Sequence, residues 1–105
     1  MHPREVTSSS EPLQLVDVRE PDEWQAGHVD GAHHIPLAEL PGRLEEIDRG
    51  RPVVLVCRSG RRSAYATRLL HEAGFDARNL EGGMKEWVAS GLSARAASGG
   101  PGKVA

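Results

Sequence analysis

Apolar residues follow two different rhythms along this chain. In residues 13–18 (LQLVDV) and 52–57 (PVVLVC) they crowd together without strict polar alternation, the pattern of strands buried on both faces. Elsewhere they recur at helical spacing. Ala66, Leu69, Leu70 and Ala73 sit at i, i+3, i+4 and i+7, with Gly74 placed as the C-cap. Leu37, Leu40, Leu44 and Ile47 share one helical face, but Pro41 interrupts it, so the spacing predicts a helix over 41–50 opened by that proline. Met84, Trp87 and Val88 form the stripe of a last helix ending near Gly91. Residues 21–26 (PDEWQA) predict a helical turn, opened by proline and stopped by Gly27. Short strands are expected at 33–35 and 77–80, and residues 5–7 could add an edge strand.

Strands alternating with helices predict an α/β fold whose parallel sheet is covered on both faces. Residues 1–12 are polar and Ser-rich, which reads as a short, loosely held lead. Residues 13–92 form the folded domain. Residues 93–105 are Gly, Ala, Ser and Pro without periodicity, which reads as a flexible tail.

Composition narrows the function classes. A chain of 105 residues suits one domain, and a net charge of -2 gives no overall attraction to nucleic acid or to a membrane surface. No apolar run approaches the ~18 residues of a membrane span, and the first residues lack a signal-like apolar core. One cysteine excludes an internal disulfide and any CxxC site. The expectation is a cytoplasmic protein whose thiol stays reduced.

That cysteine carries the candidate chemistry. Cys57 ends the strand VVLVC, and in parallel α/β sheets ligands bind beyond the carboxyl ends of strands. The next helix must begin near Arg62 or Ser63, so the loop CRSGRR wraps over a helix N-terminus whose free N–H groups favour an anion. Ser59 and Gly60 let the loop curl with its amides inward, and Arg58, Arg61 and Arg62 add positive charge. Such surroundings lower a thiol from about 8.5 into the ~3.5–7.5 range of reactive cysteines. The alternative is a buried, inert cysteine beside a solvated basic turn.

Asp17 and Arg19 close the other buried strand at the same edge, where unpartnered charge is costly. For Arg19 the preferred reading is a structural ion pair, with Glu23 as partner. For Asp17 two readings stand: it orients the Cys57 loop, or it belongs to a structural ion pair. His28, His33 and His34 are close in sequence but lack Cys or carboxylate neighbours at metal-ligand spacing, so no metal site is expected. Met84 and Trp87 read as core, and Arg43, Arg49 and Arg51 as solvated surface.

Three stretches in order carry a family resemblance. LVDVREPDEWQAGHVDGAHHIPLAEL, VVLVCRSGRRSAYATRLLHEAGF and LEGGMKEWVASG resemble the N-terminal, active-site and closing signatures of the rhodanese (sulfurtransferase) family. The likeness covers residues 13–92. It implies a three-layer α/β/α domain with a central parallel sheet of four to five strands and Cys57 as the sulfur-carrying nucleophile. It also implies that the loop Arg58, Ser59, Gly60, Arg61, Arg62 and Ser63 cradles the substrate, with His28, Gly82, Gly83 and Trp87 as structural positions. The implied reaction moves a sulfane sulfur from a small anionic donor such as thiosulfate to a thiol, protein or cyanide acceptor, without metal or organic cofactor. One departure is that only twelve residues precede Leu13, where family members have a longer strand–helix lead. That departure predicts a less covered sheet face, open to a partner or a dimer contact.

Two other readings use the same loop. Phosphatases and arsenate reductases place an arginine six residues after the cysteine, where this chain has Ser63. A non-catalytic rhodanese module for binding or regulation is the remaining alternative, although such modules commonly lack the cysteine that is present here.

Overall fold

The computed structural model describes residues 1–105. Eight regular elements follow in order: α1 (Pro3–Ser8), β1 (Gln14–Asp17), α2 (Pro21–Ala26), β2 (His33–His34), β3 (Val53–Val56), α3 (Arg61–Glu72), β4 (Ala77–Asn79) and α4 (Gly83–Ala89). The four strands form one parallel sheet in the order β2-β1-β3-β4. No helix is long and apolar enough to cross a membrane.

Strand β3 lies centrally and every residue of it is buried. Successive side chains of a strand point to opposite faces, so it feeds two cores. Val53, Leu55 and Cys57 join Val16, Val18, Ile35, Leu40, Ile47, Ala66, Leu70 and Phe75 on one side. Val54 and Val56 join Val29, Leu80, Met84 and Trp87 on the other. A continuous apolar strand is what a sheet covered on both faces requires.

Helix α3 ends as its sequence predicts. Gly74 takes φ +91°, its N–H donates to His71 O, and Phe75 N–H donates to Leu70 O, which closes a Schellman motif. Phe75 then turns into the first core.

Five expectations are corrected. The helix predicted over 41–50 is replaced by two 3-10 turns, Leu37–Gly42 and Leu44–Glu46. The first turn starts at Leu37, so Pro41 falls inside the run instead of opening it and offers no N–H to continue an α-helix there, while the three-residue period of 3-10 structure still stacks Leu37 over Leu40. The four apolar side chains therefore reach the same core with a different backbone.

Residues 5–7 lie in α1 rather than in an edge strand. The His2 ring accepts from Arg4 N–H, and the Glu5 carboxylate accepts from His2 N–H, a capping box followed by proline. The lead is not loose: Met1, Val6 and Leu13 pack against the second core, and Glu81 N–H donates to Met1 O.

Residues 93–105 also fold back instead of trailing away. Arg95 exchanges backbone bonds with His28, Ala97 N–H donates to Gln25 O, and Lys103 N–H donates to Ala26 O. Ala94 and Val104 cover the second core. The sheet face expected to lie open is covered by α4, α1 and this returning segment.

Candidate functional site

The sheet brings Cys57, Asp17 and Asn79 to one edge, because Asp17 pairs with Val56 and Asn79 with Leu55 across the register. Cys57 follows β3 directly and is 1% exposed. Gly60, at φ +101°, reverses the chain and caps α3. The turn carries Gly60 N–H back to Cys57 Sγ at 3.0 Å, and Ser63 in the first turn of α3 places its hydroxyl 3.1 Å from the same sulfur.

Burial pushes the Cys57 thiol up, but donors pull harder in the other direction. The Ser63 hydroxyl and the backbone N–H groups of Ser63, Gly60 and Ser59 bring its pKa below the ordinary thiol value. The site can therefore hold a thiolate, and the same donors suit a sulfur anion attached to it.

The loop is braced from behind by α4. Met84 N–H donates to Cys57 O at 2.8 Å and Lys85 N–H donates to Arg58 O at 3.0 Å. This approach needs Gly83, where a Cβ would stand 2.7 Å from Arg58 C and O and would overlap Cys57 O. Gly83 also has φ +58° and Gly82 φ +73°, so both glycines of LEGGMKEW answer a backbone requirement.

The three loop arginines have separate surroundings. Arg62 grips Glu23 with two hydrogen bonds, 2.6 and 2.8 Å, which link α3 to α2. The Arg62 hydrogen bonds hold the Glu23 carboxyl at about 2, and Glu23, followed more weakly by Cys57, favours the Arg62 charge. Arg58 is exposed and its Nε–H donates to Ala105 O at 2.8 Å. Arg61 is exposed at the start of α3. The polar contacts of Sγ come from Gly60 and Ser63.

Asp17 and Arg19 pair with each other, both fully buried. Arg19 Nε–H and Nη2–H reach the carboxylate at 2.8–3.1 Å, and Nη2–H also donates to Gly27 O. This corrects the expected Arg19–Glu23 pair, since Glu23 serves Arg62. It also places Asp17 in a structural ion pair: its side-chain bonds all go to Arg19, none to the Cys57 loop. Beyond the pair, Trp24 stacks on His28 at 3.6 Å and on His34 at 4.8 Å, and His34 Nε2–H donates to Arg19 O. His33 instead pairs with Glu46.

Sequence reasoning missed Asn79. Its Nδ2–H donates to Gly60 O at 3.1 Å, and its Oδ1 lies 2.5 Å from Ser63 Oγ. The available signal was position: a polar residue at the carboxyl end of the strand beside β3. Two cavities of about 370 and 350 Å³ lie elsewhere, one lined by Asp30 and the returning segment, the other by β1 and His33.

Comparisons with known proteins agree with the fold. Residues 4–90 match the family model for the rhodanese-like domain. The chain is 39% identical over 84 residues to the putative sulfurtransferase YtwF of Bacillus subtilis, covering 80% of this chain and 82% of that protein. It is 38% identical over 86 residues to a sulfurtransferase of Allochromatium vinosum, covering 81% and 80%. Several other curated relatives are longer, and the chain spans 22% to 60% of their length. The crystal structure of a rhodanese-related protein from Thermoplasma volcanium superposes with a TM-score of 0.85 at 26% identity, covering 90% of this chain and 94% of that one. With its parallel sheet, its cysteine-headed loop and a family match over most of its length, the chain belongs to the rhodanese-like domain family.

Proposed function

We propose that the chain is a sulfurtransferase that carries sulfur on Cys57. The Cys57 thiolate attacks the outer sulfur of thiosulfate; a sulfur–sulfur bond forms as the donor's own breaks, and sulfite leaves with the electron pair. Charge is conserved: a thiolate and a dianion become a persulfide anion and a dianion. A second nucleophile, a cellular thiol or cyanide in an assay, then takes the outer sulfur and returns the thiolate. Splitting one transfer into two covalent steps is ordinary nucleophilic catalysis.

One observation carries the reading: the sulfur sits where the Ser63 hydroxyl and the loop N–H groups converge, and its pKa is lowered despite burial. Fixed donors aimed at a developing anion stabilise it without reorganising. Arg58, Ser59, Gly60, Arg61, Arg62 and Ser63 form the rim that meets the donor. The names of the two sulfurtransferase relatives support the same class. A thiol that must stay reduced between turnovers suits a reducing compartment such as the cytoplasm.

The test is thiocyanate formation from thiosulfate and cyanide, with intact mass measured after thiosulfate alone. Wild type should turn over and gain one sulfur atom; Cys57→Ser should do neither. Equal turnover by the two proteins would remove Cys57 from the reaction. A wild type that neither gains sulfur nor turns over would favour the binding-module reading.

A further inference from the structure

Ser63 has one hydroxyl proton and two acceptors within reach. Cys57 Sγ lies 3.1 Å away and Asn79 Oδ1 2.5 Å away. The orientation of Asn79 is fixed by its other end, because Gly60 O can only accept and so faces Nδ2–H at 3.1 Å. Oδ1, an acceptor only, is thereby turned toward Ser63.

We propose that Asn79 is a positioning residue that competes with the Cys57 sulfur for the single Ser63 proton and thereby sets how readily the thiol ionises. With the thiol intact, its S–H donates to Ser63 Oγ, and the Ser63 hydroxyl donates to Asn79 Oδ1. On ionisation the S–H bond breaks, the electron pair stays on sulfur and the proton leaves to water. Sulfur is then an acceptor only, so the Ser63 hydroxyl rotates to it and Oδ1 loses its donor. Ionisation is assisted by Ser63 and opposed by Asn79 through the same proton.

The opposition has a use. Thiol nucleophilicity falls as pKa falls, and the best attacking thiol titrates near ambient pH. Loop amides alone would drive the thiol further down, and Asn79 limits that descent. The inference rests on Cys57 being the sulfur carrier for its purpose, but its test needs no sulfur donor, so the two ideas can fail separately.

The neighbouring charged side chains are paired with each other or exposed. From α3 and α2 come Arg62 and Glu23, paired at 2.6 Å; from β1 and its end come Asp17 and Arg19, paired at 2.8 Å; Arg58 and Arg61 flank the loop. His34 stands behind Arg19, its Nε2–H donating to Arg19 O.

Two measurements test the proposal. The first is the pH midpoint of alkylation at Cys57, the only thiol, in wild type, Ser63→Ala, Asn79→Ala and the double variant. Ser63→Ala should raise the midpoint by roughly 0.5–1 pH unit, the equivalent of one hydrogen bond. Asn79→Ala also removes the bond to Gly60 O, so the comparison across backgrounds decides. Its shift should lie lower by roughly 0.5–1 unit when Ser63 is present than when it is not. An identical shift in both backgrounds would reduce Asn79 to a strut for Gly60 and overturn the competition. The second measurement needs no change at Asn79 and covers a variant that fails to fold. The Asn79 side-chain amide resonances should titrate with the thiol midpoint in wild type, and that titration should be lost in Ser63→Ala. Resonances that ignore the thiol in wild type, or titrate equally in both proteins, would refute it.

Discussion

Gly83→Ala asks whether the close approach of α4 to the Cys57 loop is required for the site. At φ +58° an alanine carries the left-handed backbone penalty of about 1–2 kcal/mol. Its Cβ would also stand 2.7 Å from Arg58 C and O, against backbone that cannot swing aside like a side chain. Relief requires α4 to part from the loop, which breaks the Met84–Cys57 and Lys85–Arg58 backbone bonds. At about 0.5–1.5 kcal/mol each, these bring the expected loss to about 2–5 kcal/mol. Gly31→Ala is the matched control, since Gly31 has φ +85° and nothing within 4 Å of its Cβ position. It should lose only the backbone share. Urea unfolding followed by circular dichroism measures both, provided the slopes agree. Under native conditions Gly83→Ala should also raise the alkylation midpoint of Cys57, whereas Gly31→Ala should leave it unchanged. Equal destabilisation by the two variants, with no change at the thiol, would refute the claim that the glycine is there for the loop.

Three further outcomes separate the structural pairs from the chemistry. Removing the carboxylate in Asp17→Ala leaves the fully buried Arg19 uncompensated and should cost about 3–5 kcal/mol in urea unfolding, while Asp17→Leu combined with Arg19→Met should recover much of it. In the Asp17→Leu, Arg19→Met protein, which removes both charges together, the Cys57 alkylation midpoint should stay within about 0.3 unit, because neither side chain bonds to the Cys57 loop; a larger shift would revive Asp17 as an orienting group. The Glu23 carboxyl, held at about 2 by its hydrogen bonds from Arg62, is depressed in the folded state, so its contribution is present above 4.5 and lost as pH falls toward 2. Glu23→Gln should therefore flatten the stability curve over that interval, and an unchanged acid limb would show that the pair adds nothing.

What could be read from sequence follows the range of the forces involved. The two buried strands, α2 at Pro21–Ala26 and the Schellman end of α3 are local consequences of apolar runs, proline and glycine, and each stands where its residues place it. The apolar face of 37–47 was legible too, but its backbone was not: offsets of three and four fit both an α-helix and successive 3-10 turns, and Pro41 decides between them. Helix α1 was hidden because histidine is an unusual N-cap. The return of 93–105 rests on backbone bonds and on Gly102 lying against Gly27, contacts that leave no apolar rhythm. The Asp17–Arg19 pair was within reach, since residues two apart on an extended strand share a face. Asn79 was not: its value depends on the path of a loop that begins over twenty residues earlier.

The cations near the thiol invite an account in which arginines activate it, but their partners argue for another source. Arg19 faces Asp17 and Arg62 faces Glu23, so the two cations nearest the buried edge arrive already neutralised as pairs. Arg58 and Arg61 are exposed, where water and salt screen their charge. The groups left to act on the sulfur at hydrogen-bond range are neutral: loop N–H dipoles and one hydroxyl. Neutral donors stabilise an anion without holding a dianion permanently. For the proposed reaction, a site built from them would let sulfite leave after thiosulfate has given up its sulfur, whereas an unpaired buried arginine would bind the leaving dianion as firmly as the entering one. On the proposed sulfurtransferase reading, pairing Arg62 with Glu23 would serve turnover as well as stability, because it keeps the charge count at the loop low while the geometry of α3 against α2 stays fixed.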